Sequence, residues 1–357
     1  MRILQVITSL QTGGAEKIVV DLSLNLKARG HEVDVVAFVG GPSIFKQALV
    51  DGGCGVMEFT ESEGVYSLKH IKRLKRLMSQ YDIVHTHNTS PQLFAAIAKG
   101  KCKAKLVTTE HSTNNRRRSL KGYGWIDRWM YGRYDKIVCI SDIAKEKLLE
   151  HIGDKYALDV LTINNGVDVD LFYAAQETEG LRVADTFVTV MVAGFREAKD
   201  QDTLIRAIAK LPHQYRLWLV GDGVRRGELE SVIVSAGVED RVSLLGIRSD
   251  VPQVLKSADV VVMSSHWEGL SLSNIEGMSS GRPFVASDVD GLREVTKDYG
   301  VLFPHGDAEA LANIIRKLHD DKAYYADIAE KCYQRALMFD IKKMMDKYEE
   351  VYKELVS

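Results

Sequence analysis

Two carboxylates stand eight positions apart in the stretch SSHWEGLSLSNIEG, which covers residues 264–277. Glu268 lies in an apparent loop after an apolar run, and Glu276 lies on an apparent helix that Ser271 or Ser273 could cap. Carboxylates accept hydrogen bonds from vicinal hydroxyls, and a helix N-terminus offers free N–H groups that suit a phosphate. The spacing therefore fits a diphosphate flanked by two sugars. The alternative is that both carboxylates only face solvent.

A glycine-containing turn, SLQTGGAEK at residues 9–17, joins the first strand-like run to the first helical segment. Gly13 and Gly14 allow the backbone to approach a diphosphate or a second ligand closely, because glycine has no Cβ. The turn lacks the GxGxxG pattern, and no acidic ribose partner follows the second strand, which argues against dinucleotide binding. A tight turn that merely needs glycine is the alternative.

A lone histidine, His111, follows the strand-like run at 104–109. The carboxyl end of a parallel strand is where such sheets bind ligands, so this position favours a functional role. A satisfied structural histidine is the alternative. His85 and His87 also end a strand-like run, and we interpret them as mainly structural.

Apolar, β-branched runs alternate with helical patterns along the chain, which predicts parallel sheets built from crossover units. The strand-like runs are 2–8, 31–38, 81–85, 104–109, 135–140, 186–194, 215–221, 241–246 and 258–264. The turn-rich stretch at 164–172 separates two such series, so we predict domains at 1–165 and 166–339. The final segment, 340–357, is predicted to be a helix that packs back on the first domain.

Composition sets limits on the class of protein. With 357 residues, 45% of them hydrophobic and 27% charged, the chain is long enough for two globular domains. No apolar run reaches the ~18 residues of a membrane span. Four cysteines without a CxxC pair fit a reducing cytoplasm, and no His/Asp/Glu cluster has metal-ligand spacing. We therefore expect no bound metal and no cofactor.

Charge is distributed unevenly although the net charge is only −2. Residues 1–165 hold 24 Lys and Arg against 17 Asp and Glu, so the first half is basic and the remainder acidic. An anionic partner for the first half and a drift of surface charge both explain this asymmetry. Nucleic acid is not expected, because aromatic side chains are missing among the cations and the pI is near 6.6.

The segment SSHWEGLSLSNIEGMSSGRPFVASDVDGLREV, residues 264–295, resembles the donor-site signature of the retaining glycosyltransferases of family 4. That signature is Glu-x7-Glu followed by small residues, Gly-x-Pro, a strand and a Gly/Glu turn. Further motifs follow in family order: TGGAE (12–16), DIVHTHN (82–88), NNGVD (164–168), GDG (221–223), LLGIRSDVP (244–252) and GVLFPHGD (300–307). The resemblance implies a GT-B fold, in which two doubly wound, Rossmann-like α/β domains face a central cleft.

The resemblance also implies roles for individual residues. It assigns Glu276 to the ribose and Glu268 to the hydroxyls of the transferred sugar. His111 is implied near that sugar or the acceptor. The main chain near Ile247 is the position implied for the base. The backbone N–H groups of Gly269, Leu270 and Ser271 are implied to bind the phosphates.

The cationic pair of the family is irregular in this chain. Similar enzymes carry Arg-x4-Lys after the first strand of the second domain, where it grips the pyrophosphate of the donor. In VAGFREAKDQ, residues 192–201, Lys199 takes the place of the lysine, but Gly194 stands five positions earlier. Arg196 is the cation that could substitute for the missing arginine.

The resemblance implies transfer of a hexose from a nucleotide diphosphate sugar, with UDP favoured, to an acceptor hydroxyl with retained anomeric configuration. The implied acceptor is a glycan or a lipid-linked surface-glycan intermediate. The basic stretches 68–78 and 115–125 could meet its phosphates or an anionic membrane surface at the inner face of the plasma membrane. Two alternatives are a sugar-nucleotide epimerase of the same general fold and a non-catalytic sugar-nucleotide-binding module.

Overall fold

The computed structural model describes residues 1–11, 13–60, 64–111, 123–268 and 272–357. These residues form two compact units. The first unit comprises Met1–Asn165 and Lys343–Ser357, and the second comprises Gly166–Lys342. Each unit is built on its own parallel sheet and its own hydrophobic core.

In the described part of the first unit, seven strands pair in parallel in the order β3-β2-β1-β4-β5-β6-β7. Their bounds are Arg2–Ile7, Glu32–Val39, Gly55–Thr60, Ile83–His87, Lys105–Glu110, Lys136–Cys139 and Val160–Thr162 for β1 to β7. The helices are α1 Gly14–Ala28, α2 Ile44–Asp51, α3 Lys69–Met78, α4 Thr89–Ala98, α5 Tyr123–Tyr131, α6 Asp142–Ile152 and the C-terminal helix Ile341–Val356, which is α15.

Helices cover both faces of this sheet, so its central strands are buried on both sides. All five residues of β4 are buried, including two histidines. The basic helix α3 buries Leu74 and Met78 and leaves Lys72, Lys75 and Arg76 exposed. This amphipathic arrangement explains how a helix with so many cations packs within a folded unit.

In the described part of the second unit, six parallel strands follow the order β10-β9-β8-β11-β12-β13. The strands are Phe187–Val192, Tyr215–Val220, Val242–Gly246, Val260–Met263, Phe284–Ser287 and Val301–Phe303 for β8 to β13. The helices α7 to α14 are Val169–Tyr173, Gln201–Ala209, Arg226–Ser235, Val251–Ser257, Leu272–Ser279, Arg293–Thr296, Ala308–Asp320 and Lys322–Leu337.

Strand order reverses direction between β1 and β4 in the first sheet and between β8 and β11 in the second. Ligands of open α/β sheets bind beside the carboxyl ends of strands at such reversals. The predicted α/β class, with two doubly wound parallel sheets, is therefore confirmed. Among the helices of the described residues, none combines the length and the apolar character needed to cross a bilayer.

Candidate active site

Lys199 and Glu268 come from two neighbouring strand ends in the second unit. Lys199 lies between β8 and α8, Glu268 follows β11, and these two strands pair directly. The Lys199 ammonium contacts the Glu268 carboxylate, and their side chains are only 15% and 19% exposed. The fold thus joins two predicted site residues as an ion pair. The alternative of a solvated loop carboxylate is wrong for Glu268.

Backbone hydrogen bonds tie together the two segments that carry this pair. The N–H of Asp200 donates to the carbonyl of Ser264 at 3.0 Å, and the N–H of His266 donates to the carbonyl of Ala198 at 2.9 Å. A short antiparallel bridge between residues 199 and 265 lies between these bonds. The two side chains are therefore held at fixed backbone positions instead of on independent loops.

Side chains add further support around the ion pair. Ser265 Oγ donates to Glu268 Oε2 at 3.4 Å. Arg225 donates from Nη1 to the carbonyl oxygen of Lys199 at 3.1 Å and from Nη2 to Asp202 Oδ2 at 2.7 Å. A guanidinium that is paired on both sides fixes the main chain from which the lysine projects.

Arg196 lies over the glycine that replaces the expected arginine. Its backbone N–H donates to the Gly194 carbonyl at 3.0 Å. A Cβ built on Gly194 would lie 3.4 Å from Arg196 Nε. The exposed side chain of Arg196 therefore runs beside the position where similar enzymes carry their cation. Its contact with a diphosphate remains a prediction.

The main chains at the ends of β8 and β9 approach each other so closely that residue 221 must be glycine. Gly221 adopts φ of 136°, and a Cβ there would lie 2.1 Å from the Ala193 carbonyl oxygen. The N–H of Gly221 donates to the carbonyl of Gly246 at 2.8 Å. Ile247 follows directly and is 77% exposed. This edge offers open backbone and an exposed apolar side chain, which suit a flat base.

Glu276 lies on α11 and is only 8% exposed, so the alternative of a solvated helix face is wrong for this carboxylate. The helix sits very close to the sheet beside it. A Cβ on Gly277 would lie 2.8 Å from the Phe284 ring and 2.9 Å from Val261 Cγ1. The absence of a side chain at residue 277 therefore sets the depth at which Glu276 is held.

Asn274, in the first half of α11, is fully buried, and its amide oxygen and nitrogen have no hydrogen-bond partner among the described residues. An unmet buried amide costs about 1–3 kcal/mol, which a polar neighbour or ligand would recover.

The predicted phosphate-binding run Gly269, Leu270 and Ser271 precedes this helix and lies outside the described residues. Residues 115–122 of the basic stretch 115–125 also lie outside them.

The glycine turn of the first unit precedes α1. Gly13 occupies the N-cap position in an extended conformation, and Gly14 begins the helix. A Cβ on Gly13 would lie 2.2 Å from Glu16 Oε2, so the carboxylate covers this glycine. No described residue lies within 4 Å of a Cβ on Gly14. Of the two predicted glycines, Gly14 offers the open backbone.

His111 belongs to a chain of hydrogen-bonded side chains. Gln5 Oε1 accepts from His87 Nε2 at 2.8 Å, and His87 Nδ1 lies 2.9 Å from His111 Nε2. Burial lowers the pKa of His111 to about 4, and it lowers that of His87 well below the usual range. Both rings are therefore neutral at pH 7. His87 must then accept from His111, which leaves a lone pair on His111 Nδ1.

His85 has partners on both ring nitrogens. Its Nδ1 lies 2.6 Å from the Tyr352 hydroxyl, and its Nε2 lies 2.8 Å from Thr109 Oγ1. The ring is fully buried, and this burial lowers its pKa well below the ordinary value. These contacts give His85 a structural environment that links β4, β5 and α15.

Several residues of this arrangement were missed by sequence reasoning. Ser265, Arg225 and Gln5 support predicted residues from distant positions, and no motif marks them. His87 was interpreted as structural, but it connects Gln5 to His111. The motif DIVHTHN places His85 and His87 on one face of β4, because alternate strand residues share a face, but it does not indicate which residues they contact.

One further group was also missed. Among the described residues, Asp200, His266 and His305 each have a potential metal-ligand atom, and these atoms lie within 4.8 Å of one another. Their sequence separations do not match a metal-binding motif, so only the folded unit reveals the cluster.

Two family models match the chain. Glycosyltransferase Family 4 matches residues 12–171, and Glycosyl transferases group 1 matches residues 186–321. An Escherichia coli protein named UDP-Gal:alpha-D-GlcNAc-diphosphoundecaprenol alpha-1,3-galactosyltransferase is 28% identical, with 80% of this chain and 81% of that protein covered. N-acetyl-alpha-D-glucosaminyl L-malate synthase of Bacillus anthracis is 24% identical, with 95% and 93% covered.

Solved structures of glycosyltransferases share the architecture described above, with two parallel-sheet units. Anabaena HepE in complex with UDP and glucose matches with a TM-score of 0.85 and 26% identity, covering 99% of each chain. The HepE complex with UDP-glucose matches equally well. WaaG, a glycosyltransferase involved in lipopolysaccharide biosynthesis, matches with a TM-score of 0.72 at 17% identity, which supports the fold alone.

Proposed function

Because this chain belongs to the family 4, group 1 glycosyltransferases of GT-B type, we propose that it transfers a hexosyl unit from a UDP-sugar to an acceptor hydroxyl with retention of configuration. The observation that carries the proposal is the ion pair of Lys199 and Glu268 at the strand reversal of the second sheet. It offers a cation for a leaving diphosphate and a carboxylate for sugar hydroxyls within one site.

UDP is the proposed nucleotide on the strength of two similar proteins. HepE, 26% identical over nearly the whole chain, binds UDP and UDP-glucose. The Escherichia coli relative is named for UDP-Gal. The hexose itself differs between these two proteins, so the proposal specifies a UDP-hexose and no particular sugar.

The largest contribution to catalysis is proposed to be stabilisation of the leaving diphosphate. Charge develops on its oxygens as the glycosidic bond breaks, and preorganised cations stabilise that charge most effectively where water is scarce. Lys199, 15% exposed, meets that condition, and Arg196 adds a second cation from solvent. The backbone N–H groups at 269–271 are proposed to hold the remaining phosphate oxygens.

The two carboxylates are proposed to bind hydroxyls and not to form a covalent intermediate. Glu268 is engaged by the Lys199 ammonium and by Ser265, which lowers its nucleophilicity and suits it to orienting a sugar. Glu276 is proposed to bind the ribose and Ile247 to lie against the base. The acceptor would then attack from the face that the leaving group vacates, which retains the configuration.

In the first unit, His111 is proposed to contact the acceptor hydroxyl or the transferred sugar. Its neutral ring presents a hydrogen-bond acceptor at Nδ1, as the contacts to His87 and Gln5 require. The open backbone at Gly14 is proposed to approach the same ligands, with Gly13 covered by Glu16.

The acceptor is proposed to be a glycan intermediate linked to a lipid diphosphate, at the cytoplasmic face of the plasma membrane. The name of the Escherichia coli relative contains such an acceptor. The excess of 24 cations over 17 acidic residues in residues 1–165 supports contact with anionic headgroups or acceptor phosphates. Lys72, Lys75 and Arg76 of α3 are exposed and are proposed to take part in this contact.

The test is a panel of UDP-, GDP- and ADP-hexoses in a thermal-shift assay, followed by radiolabelled transfer with the donor that binds. We expect UDP-sugars alone to raise the melting temperature, because ligands of the native state stabilise it. Label should move only when an acceptor is added. Conversion of the donor without acceptor would indicate an epimerase, and a bound but unchanged donor would indicate a binding module.

A further inference from the structure

Three side chains that the proposed reaction does not use converge at the carboxyl edge of the second sheet. Asp200 precedes α8, His266 follows β11, and His305 follows β13. One potential ligand atom of each lies within 4.8 Å of the other two. The three residues thus bring two imidazoles and one carboxylate together from three separate strand ends.

The distances fit a small metal ion after modest side-chain adjustment. His266 Nδ1 and His305 Nε2 share a hydrogen bond of 2.8 Å, so a metal ion would replace the proton between them. Zinc binds nitrogen and oxygen at about 2.0–2.2 Å, so neighbouring ligand atoms of a tetrahedral site are roughly 3.3–3.6 Å apart. The imidazole pair is closer than that, and the other separations in the cluster are at most 4.8 Å, so binding requires the exposed histidine side chains to rotate until all three atoms reach bonding distance.

Asp200 is held in the way that a metal-binding carboxylate requires. It is 2% exposed. Its Oδ1 accepts from the N–H of Thr203 at 3.2 Å, and its Oδ2 accepts from Ser264 Oγ at 3.0 Å. Such supporting hydrogen bonds orient the ligands of metal sites. Each oxygen keeps a further lone pair for an ion.

The two histidines differ from Asp200 because both are exposed, which gives an ion access from solvent. The main chain at His266 is nevertheless fixed by its hydrogen bond to Ala198. The site therefore combines a buried, oriented carboxylate with two accessible imidazoles, of which that of His266 lies on an anchored segment.

We propose that Asp200, His266 and His305 bind one divalent transition-metal ion of the zinc class. Imidazole nitrogen selects Zn²⁺ or Cu²⁺ over Mg²⁺ and Ca²⁺, which prefer oxygen ligands alone. The ion ties the segment after β11 to the ends of β8 and β13. Because His266 lies two residues before Glu268, the ion steadies the segment that carries this carboxylate. It has no role at the reacting atoms.

The test measures Zn²⁺ binding to the untagged, chelator-treated protein by competition with a chromophoric chelator, in the absence of nucleotide. We expect one equivalent of Zn²⁺ to bind and Mg²⁺ in excess not to compete. His305→Ala and His266→Ala should each weaken binding by more than the roughly 10- to 100-fold that loss of a supporting contact costs a metal site. Both positions are exposed, so these variants should fold.

Asp200→Asn retains an oxygen that can accept from Thr203 and removes the carboxylate charge, so it tests the third ligand without removing the cap of α8. His213→Ala is the matched control, because His213 is exposed in the same unit and lies beside Asp240, away from the cluster. Equal Zn²⁺ affinity in the wild type and the His305→Ala variant would overturn the proposal, as would loss of binding in His213→Ala. Neither result depends on donor binding or turnover, so the proposed function is tested separately.

Discussion

Arg196 Nε lies 3.4 Å from the position that a Cβ on Gly194 would occupy. Gly194 does not have a positive φ, so residues other than glycine can adopt its backbone conformation. A side chain at residue 194 would therefore run in the space that the arginine now uses. This relationship explains how a cation two residues further along the chain could replace the family's arginine, and it makes the replacement reversible by mutation.

Arg196→Ala is expected to lower kcat/KM for transfer by about 10- to 100-fold, because one cation facing the leaving diphosphate is lost. Adding Gly194→Arg to this variant should restore most of the activity by returning a guanidinium to the same space. Steady-state kinetics on the two variants and the wild type measure both effects. Failure of the double variant to recover, with normal thermal stability, would show that Arg196 acts elsewhere.

Lys199→Ala is expected to reduce kcat by at least about 10²–10³, because a largely buried cation that is proposed to face the leaving group is removed. Donor KM should change much less. Lys210→Ala is the control: this lysine forms an exposed ion pair with Glu309 in the same unit, and such pairs contribute only ~0–1 kcal/mol. Circular dichroism on both variants checks that the fold is intact. Near-normal turnover in Lys199→Ala would reject its assignment.

The fold was largely predictable from sequence because parallel strands buried on both faces are continuous apolar runs. The runs at 186–194 and 258–264 predicted β8 and β11, and hence the edge at which Lys199 and Glu268 lie. The helix at the C-terminus was predictable from its apolar stripe, in which Tyr348 and Tyr352 are fully buried.

Long-range pairings were not predictable in the same way. The contact of Gln5 with His87 depends on the register of β1 against β4, which pairs residues 5 and 85. The cluster of Asp200, His266 and His305 depends on strand order. Neither register nor order leaves a local periodic signal in the chain, so motif spacing alone could not reveal them.

Gly277→Ala is expected to destabilise the protein by about 1–3 kcal/mol, since the new methyl group would meet the Phe284 ring and Val261 at under 3 Å. It should also weaken UDP binding by displacing the helix that carries Glu276. Gly227→Ala is the matched control in α9, where none of the residues that the structure describes lies within 4 Å of a new Cβ. That change should be neutral or stabilise by up to about 1 kcal/mol. The midpoints of urea unfolding are compared for the two variants. Equal midpoints would show that α11 can move away from the sheet without loss of stability.

Stability is expected to fall as pH decreases from about 6.5 towards 4. An unfolded histidine binds a proton near pH 6.5, whereas burial lowers the pKa of His111 to about 4 in the folded state. Between these values the unfolded chain binds more protons, so acid favours unfolding, and the contribution is fully present only above about pH 6.5. His85 and His87 act in the same direction, since burial also lowers their pKa. Glu110 opposes the shift of the His111 pKa without cancelling it.

His111→Gln should therefore flatten, without abolishing, the loss of stability between pH 6.5 and 4.5, as measured by urea midpoints at several pH values. Midpoints at pH 7.5 and 8 serve as the internal control, because this histidine is neutral in both states there. An equally steep acid dependence in the variant would mean that His111 takes up its proton in the folded protein as readily as in the unfolded chain.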